Sequence, residues 1–115
     1  MIDNWIIGGR QTGRSTALIE EAAANNKYIV VTDHLRALYL WNRARELGLS
    51  IPFPITLREL PIRRSVTFIE SVLVDDADAL LERIVGVHID TIVLEYPEKQ
   101  AKLTSQWMVK SDPRK

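Results

Sequence analysis

Residues 8–16 read Gly8-Gly9-Arg10-Gln11-Thr12-Gly13-Arg14-Ser15-Thr16. The apolar run Trp5-Ile6-Ile7 precedes them, and the helix-forming run Ala17–Ala22 follows. A short apolar run is typical of a buried strand, and glycines between a strand and a helix indicate a tight loop. The order strand, glycine-bounded loop, helix is the context in which the motif G-x-x-x-x-G-K-[ST] indicates a phosphate-binding loop. Arg14 departs from this motif, because it stands where the lysine is expected.

The composition is that of a soluble globular protein. The chain has 115 residues, of which 46% are hydrophobic and 26% are charged, and this length suits one domain with its own core. Fifteen basic residues balance fifteen acidic ones, so net charge does not indicate nucleic acid or an acidic membrane as a partner. The absence of cysteine excludes a disulfide framework and thiolate–zinc sites.

The N-terminal residues do not have the pattern expected of a signal peptide. Asp3 and a short apolar run do not form a signal peptide, and no segment approaches the roughly 18 apolar residues of a membrane helix. We therefore expect a cytoplasmic protein with no membrane partner. Residues 1–110 are expected to form a single domain, and residues 111–115 a frayed tail.

Beyond the loop, predicted strands alternate with predicted helices. The strands are expected at residues 4–7, 28–32, 55–57, 72–76, 91–94 and 106–109, and the helices at 15–24, 34–47 and 79–85. This order predicts an α/β fold with a mainly parallel sheet between two layers of helices. In such sheets ligands bind beyond the carboxyl ends of the strands. Polar residues fall at those ends: the glycine loop, Asp33-His34, Asp75-Asp76 and Glu95.

The helix at 34–47 has clear start and stop signals. Asp33 is a predicted N-cap, and Gly48 ends the helix. His34 is expected to be exposed beside the cap. The apolar side of this helix is expected to contain Leu35, Leu38, Trp41 and Leu47.

The chemistry of the glycine loop favours phosphate. Consecutive backbone N–H groups can converge on phosphate oxygens, and the following helix adds the positive end of its dipole. Gly8 and Gly13 permit backbone angles and a close approach that a side chain would block. Ser15, in the first turn, is placed to ligate magnesium. The alternative is a tight strand-to-helix turn with a capping Ser15 and no ligand.

A second acid-bearing strand strengthens the phosphate interpretation. Val72–Asp76 is an apolar strand with acids at its carboxyl end. A magnesium–nucleotide site needs a carboxylate there, beside the serine hydroxyl, and the adjacent Asp76 could orient or deprotonate the attacking water. The alternative is that Asp75, Asp76 and Asp78 only begin the next helix, where carboxylates suit the dipole. That alternative fits Asp78 best, and for Asp75 we favour the metal role.

Together these segments resemble a P-loop NTPase core of the additional-strand class, which includes ATPase motor domains. Gly8–Thr16 matches the Walker A motif and residues 72–76 match Walker B, while Arg10–Gly13 is similar to the loop of viral DNA-packaging (terminase) ATPases. The resemblance implies that Arg10 stabilises γ-phosphate charge, that Ser15 and Asp75 hold Mg²⁺, and that Asp76 takes the place of the catalytic glutamate. It also implies an intervening strand that ends in a polar sensor, for which Glu95 is the candidate.

The expected function is that of an ATP-binding protein that takes Mg²⁺ with ATP or ADP at Gly8–Thr16. It would be a slow Mg-dependent ATPase or a minimal motor-type core, and the resemblance makes a phage origin one expectation. Arg14 is planar and bulkier than lysine, and Asp76 is one methylene shorter than glutamate, so both weaken hydrolysis more than binding. The alternative is a degenerate P-loop domain that binds nucleotide without turnover and acts as a sensing or interaction module. By analogy with ring ATPases, a homo-oligomer would be completed by a neighbour's arginine, for which the loop at 58–64 is the candidate.

Overall fold

A computed structural model of the chain describes residues 2–8, 13–63, 68–95 and 102–103. The elements in chain order are β1 (Ile6–Ile7), α1 (Arg14–Asn25), β2 (Ile29–Val31), α2 (His34–Glu46), β3 (Ile55–Thr56), β4 (Leu73–Val74), α3 (Ala77–Val85) and β5 (Lys102–Leu103). A 3-10 helix, Leu57–Glu59, follows β3 directly. The α/β class predicted from the sequence is confirmed.

Every strand pairing in the described part of the chain is parallel. β2 lies between β3 and β4 in a three-stranded sheet, with Val30 opposite Ile55 on one side and opposite Val74 on the other. β1 pairs with β5 in a separate two-stranded sheet. Because β2, β3 and β4 run in the same direction, their carboxyl ends meet at one edge of the sheet. The predicted parallel sheet is therefore confirmed, in two pieces.

The central strand β2 is covered on both faces, because successive side chains of a strand point to opposite sides. Ile29 and Val31 belong to the larger core cluster, with residues of α1 and α2, and Ile6 of β1 and Leu73 of β4 pack against that cluster. Val30 belongs to a second cluster with Ile55 and Leu80, the latter from α3. The fully apolar sequence of β2 follows from this burial on both sides.

The ends of α2 are as the sequence predicts. The Asp33 side chain accepts a hydrogen bond from the Arg36 backbone N–H at 2.9 Å, so Asp33 is the N-cap. At the other end Gly48 has φ of 72° and Leu49 N–H donates to the Ala44 carbonyl at 2.9 Å, which is the Schellman arrangement. These two signals determine where α2 begins and ends.

The buried face of α2 differs from the prediction. Ala37, Leu40 and Ala44 are at most 1% exposed, whereas Leu35 is 79% exposed. Leu38 is also exposed, and the other two residues of the predicted apolar side, Trp41 and Leu47, are only partly buried. The physical reason is that small side chains let α2 approach α1 closely, and α1 contributes Ala22 to the same cluster. The prediction is therefore wrong for Leu35 and Leu38, whereas Trp41 and Leu47 pack against the core cluster.

The strand predicted at 91–94 is wrong. Residues 91–95 have no regular secondary structure, and Val93 is 92% exposed. An apolar, β-branched run forms a strand only where a sheet edge supplies hydrogen-bond partners, and none of the described strands pairs with this segment.

The remaining strand and tail predictions have mixed outcomes. The strand predicted at residues 72–76 is confirmed at Leu73–Val74, and α3 begins at Ala77, two residues earlier than expected. The final strand predicted at 106–109 and the tail at 111–115 lie outside the described residues, while β5 occurs at Lys102–Leu103. No helix in the described part of the chain has the length and hydropathy needed to cross a bilayer.

Candidate functional site

The described part of the glycine loop is the turn that opens α1. Gly13 is the N-cap residue with φ of 88°, a left-handed conformation that favours glycine. A Cβ at Gly13 would meet no atom within 4 Å, so the backbone angle and not crowding explains the glycine. Arg14, the first residue of the helix, is exposed, and Ser15 and Thr16 are partly buried. Gly8 follows β1, whereas Gly9, Arg10, Gln11 and Thr12 lie outside the described residues.

Asp75 lies at the carboxyl end of β4 and is held there by the sheet. Its backbone N–H donates to the Val30 carbonyl at 3.0 Å, which extends the ladder between β4 and β2 by one bond. The residue is 6% exposed, and among the described residues it is the one buried charged residue. A buried carboxylate is unfavourable unless it is paired.

The partner of Asp75 is Arg36, which lies in the first turn of α2. Arg36 Nε donates to Asp75 Oδ2 at 2.6 Å, and Arg36 Nη2 donates to Asp75 Oδ1 at 3.2 Å. The same Nη2 donates to the Ser15 Oγ at 3.0 Å. One guanidinium therefore connects the serine of the Walker A-like loop with the aspartate of the Walker B-like strand, which are 60 residues apart in sequence.

Sequence reasoning did not identify Arg36. It lies 39 residues from Asp75 on a helix whose charged residues otherwise face solvent, and no motif includes it. One signal was present: Arg36 comes three residues after Asp33, which follows β2 at the sheet edge that also carries Asp75. An arginine in the first turn after that edge can reach across to the neighbouring strand end.

The Arg36 guanidinium is a stable cation. Its hydrogen bond to Asp75 raises the pKa of Arg36, and the negative charge of Asp75 raises it further, while partial burial lowers it. The net shift is upward from a value that is already high. The guanidinium carbon also lies 4.7 Å from the centre of the Tyr39 ring, a cation–π contact within the same helix.

The first turn of α2 also reaches α3. Asp33 uses one carboxylate oxygen to cap α2, and the other, Oδ2, accepts from Arg83 Nη2 at 3.1 Å. His34, beside the cap, is exposed as predicted, and its ring centre lies 6.0 Å from that of Phe53. The start of α2 is thus in contact with α1 through Ser15, with the end of β4 through Asp75, and with α3 through Arg83.

Asp76 occupies an unusual backbone conformation at the start of α3. Its φ and ψ are 51° and 60°, and its exposed side chain makes no capping hydrogen bond. Aspartate tolerates the left-handed region better than most residues, glutamate included. The backbone therefore gives a physical reason for the shorter acid at this position. Asp78 lies in the first turn of α3, so the helix-start interpretation made for it is confirmed.

Glu95 does not lie at the end of a sheet strand. It belongs to the exposed segment at 91–95, which has no regular structure, so the geometric basis of the sensor assignment is missing. The structure thus brings Ser15 and Asp75 together around Arg36. Asp76 follows Asp75 in sequence and lies on an exposed turn, and Glu95 lies outside the described strands.

The donor set suits one hard cation and little else. The Ser15 hydroxyl and the Asp75 carboxylate are oxygen ligands of the type that Mg²⁺ takes when phosphates or water complete its shell. Within the ranges that the structure describes, no group of three or more His, Cys, Asp or Glu side chains could hold a metal ion by itself. Ser15 and Asp75 are thus oxygen ligands of the type that a magnesium ion shared with a nucleotide would use.

Comparison with protein families, with curated proteins and with solved structures gave no match. The interpretation of the site accordingly depends on its own residues and geometry.

Proposed function

We propose that the protein binds ATP, with the phosphates at the N-terminus of α1 and the loop Gly8–Thr16 around them. The observation that carries the proposal is that one cation, the Arg36 guanidinium, donates hydrogen bonds to both the Ser15 Oγ and the Asp75 carboxylate. A turn that served only to join β1 to α1 would not require an arginine paired with a buried acid to donate to its serine.

The geometry of the turn supports phosphate binding. Gly13 holds a left-handed angle that opens α1 without a capping side chain, so the first N–H groups of the helix are not covered by a cap of their own. Such N–H groups and the helix dipole favour an anion. Arg14 is exposed at the first helical position, where its charge can add to that attraction.

Magnesium would be held by the Ser15 hydroxyl and the Asp75 carboxylate, and it would neutralise phosphate charge when bound. Asp76, next along the chain, has its side chain in solvent, where it could hold a water. The proposed activity is slow hydrolysis, because Asp76 is short and Glu95 does not lie on a strand beside it.

A second candidate function is nucleotide binding without turnover. The ion pair between Arg36 and Asp75 favours it, because the carboxylate that would serve the metal is already engaged on both oxygens. In that case the domain would report the presence of nucleotide to a partner and would not hydrolyse it.

A binding titration followed by a turnover assay separates the two functions. We expect Mg-ATP and Mg-ADP to bind in calorimetry, and slow release of phosphate from ATP supports the ATPase. Binding without phosphate release supports the sensing module. Absence of any nucleotide binding would contradict both.

Two substitutions test the assignment of the site. Ser15→Ala and Asp75→Asn are expected to weaken Mg-dependent ATP binding, because the first removes a proposed ligand and the second removes the negative charge of the other. Ser50→Ala and Asp90→Asn are matched controls, since Ser50 is exposed and the Asp90 side chain is 94% exposed. Circular dichroism establishes that each variant is folded, and unchanged affinity in both site variants would remove the metal assignment.

Arg14→Lys tests the departure from the motif. If arginine weakens an otherwise ordinary phosphate site, restoring lysine raises ATP affinity or turnover. A fall in activity would mean that Arg14 is adapted to this site.

A further inference from the structure

The Arg36 guanidinium lies where a metal ion would share the same oxygens. It contacts both carboxylate oxygens of Asp75, at 2.6 and 3.2 Å, and the Ser15 Oγ at 3.0 Å. Asp75 is buried, with a side chain 8% exposed, while Arg36 is 33% exposed and is reached from solvent. Arg36 is therefore the more solvent-accessible partner of the pair.

Two cations cannot occupy this position together. Mg²⁺ binds oxygen at about 2.1 Å, so an ion on Ser15 and Asp75 would lie only about 4 Å from the guanidinium nitrogens. At that separation the repulsion between a divalent and a monovalent cation near a protein surface is larger than the gain from one hydrogen bond. One cation must leave when the other arrives.

We propose that Arg36 and Mg²⁺ are alternative occupants of the Ser15–Asp75 pair, so that binding of a magnesium nucleotide releases the Arg36 side chain. Arg36 keeps the buried carboxylate paired when no metal is present. The released guanidinium already lies 4.7 Å from the Tyr39 ring, so a side-chain movement within α2 is sufficient. Mg²⁺ thereby replaces the Arg36 guanidinium at the Ser15–Asp75 pair.

The exchange changes the contacts of the start of α2. In the structure this turn is tied to α1 through Ser15 and to β4 through Asp75, and its cap is tied to α3 through Arg83. Release of Arg36 removes the first two ties and leaves the Asp33 cap. The surface around Arg36 and the exposed Tyr39 would then differ between the empty and the nucleotide-bound protein, which is what a sensing module requires.

The inference rests on the proposed function only in assuming that the metal enters with the nucleotide. The direct measurement is the NMR signal of the Arg36 Nε–H group, assigned by its loss in Arg36→Gln. We expect Mg-ATP to shift this signal and accelerate its exchange with water, whereas ATP with a chelator leaves it unchanged. Bound Mg-ATP with an unchanged Arg36 signal would overturn the inference.

A variant gives an independent measurement. In Arg36→Gln the competing charge is gone, so the factor by which Mg²⁺ strengthens ATP binding is expected to exceed that of the wild type by about tenfold. Arg45→Gln is the matched control, because it makes the same charge change on an exposed position of α2, about 13 Å along the helix axis from Arg36. An equal magnesium effect in all three proteins would contradict the competition. If Arg36→Gln does not fold, Arg36→Lys keeps the charge but loses the two-pronged contact, and its magnesium effect is expected to lie above that of the wild type.

Mn²⁺ alone distinguishes failure of this inference from failure of nucleotide binding. If no protein binds ATP, the proposed function is wrong, but the competition is still measurable. Paramagnetic Mn²⁺ is then expected to broaden the Ser15 and Asp75 amide signals at lower concentration in Arg36→Gln than in the wild type. The same broadening profile in both proteins would overturn the inference.

Discussion

The coupling between Arg36 and Asp75 can be measured without any ligand. A double-mutant cycle with Arg36→Met, Asp75→Asn and the double variant isolates their interaction from other effects of each substitution. Both replacements are close in size to the original side chain, and asparagine retains one oxygen acceptor. The quantity measured is the free energy of unfolding, from urea titration of a chain of 115 residues, a size at which two-state unfolding is the usual behaviour.

The expected magnitude follows from the burial and geometry of the pair. Breaking a fully buried ion pair costs about 3–5 kcal/mol, whereas an exposed pair contributes about 0–1 kcal/mol. Asp75 is 8% exposed and Arg36 is 33% exposed, so solvent screens one partner and the buried value must be discounted. Two charge-assisted hydrogen bonds at 2.6 and 3.2 Å keep the expected coupling energy above that of an exposed ion pair. We expect a coupling energy of about 2 kcal/mol, equivalent to about 8 °C in melting temperature.

The pair between Arg83 and Asp33 is an internal standard. Their side chains are 53% and 38% exposed and their atoms are 3.1 Å apart, so a cycle with Arg83→Met and Asp33→Asn is expected to give at most about 1 kcal/mol. Asparagine keeps the capping oxygen, so the helix start is preserved. A coupling for Arg36 and Asp75 no larger than that of this exposed pair would refute the view that β4 ends in a protected carboxylate.

Three further predictions concern the fold around the site, and each is tested by urea unfolding. Asp33→Ala is expected to cost about 1 kcal/mol through loss of the α2 cap, with a much smaller effect for Asp33→Asn. Leu40→Ala, at a side chain that is 0% exposed, is expected to cost about 2–5 kcal/mol, whereas Leu35→Ala, at 79% exposure, is expected to stay within about 0.5 kcal/mol. Equal costs at positions 40 and 35 would mean that α2 buries the face that the sequence predicted. Gly13→Ala is expected to cost about 1 kcal/mol because of the φ of 88°, and no loss would show that this turn tolerates a side chain.

The elements of this fold are predicted well where the stabilising interaction forms between residues that are close in sequence. The Asp33 cap is satisfied by a backbone group three residues away, and Gly48 ends α2 through bonds to the preceding turn. Both interactions lie within a few residues, so they can be recognised in the sequence. The left-handed Gly13 at the start of α1 belongs to the same class.

Features that depend on distant partners could not be predicted in the same way. The pattern at 91–94 has the composition of a strand, but composition does not say whether a sheet edge is there to pair with it. The buried face of α2 depends on how closely α1 approaches, which small residues such as Ala37 decide. Arg36 acquires its role only when α2 and β4 meet, because neither segment alone indicates that its charge has a buried partner.

The Arg36–Asp75 pair is better explained by a site than by the stability of the fold. Replacing a buried ion pair with apolar side chains is often neutral or stabilising, so packing alone does not call for an acid after β4. The contact does not open by titration at neutral pH either. Hydrogen bonding to Asp75 raises the pKa of Arg36, so the stability that its charge contributes is fully present below its ordinary pKa and is lost only above the raised value. The change that can open it is a competing cation on Asp75, and a magnesium nucleotide brings one.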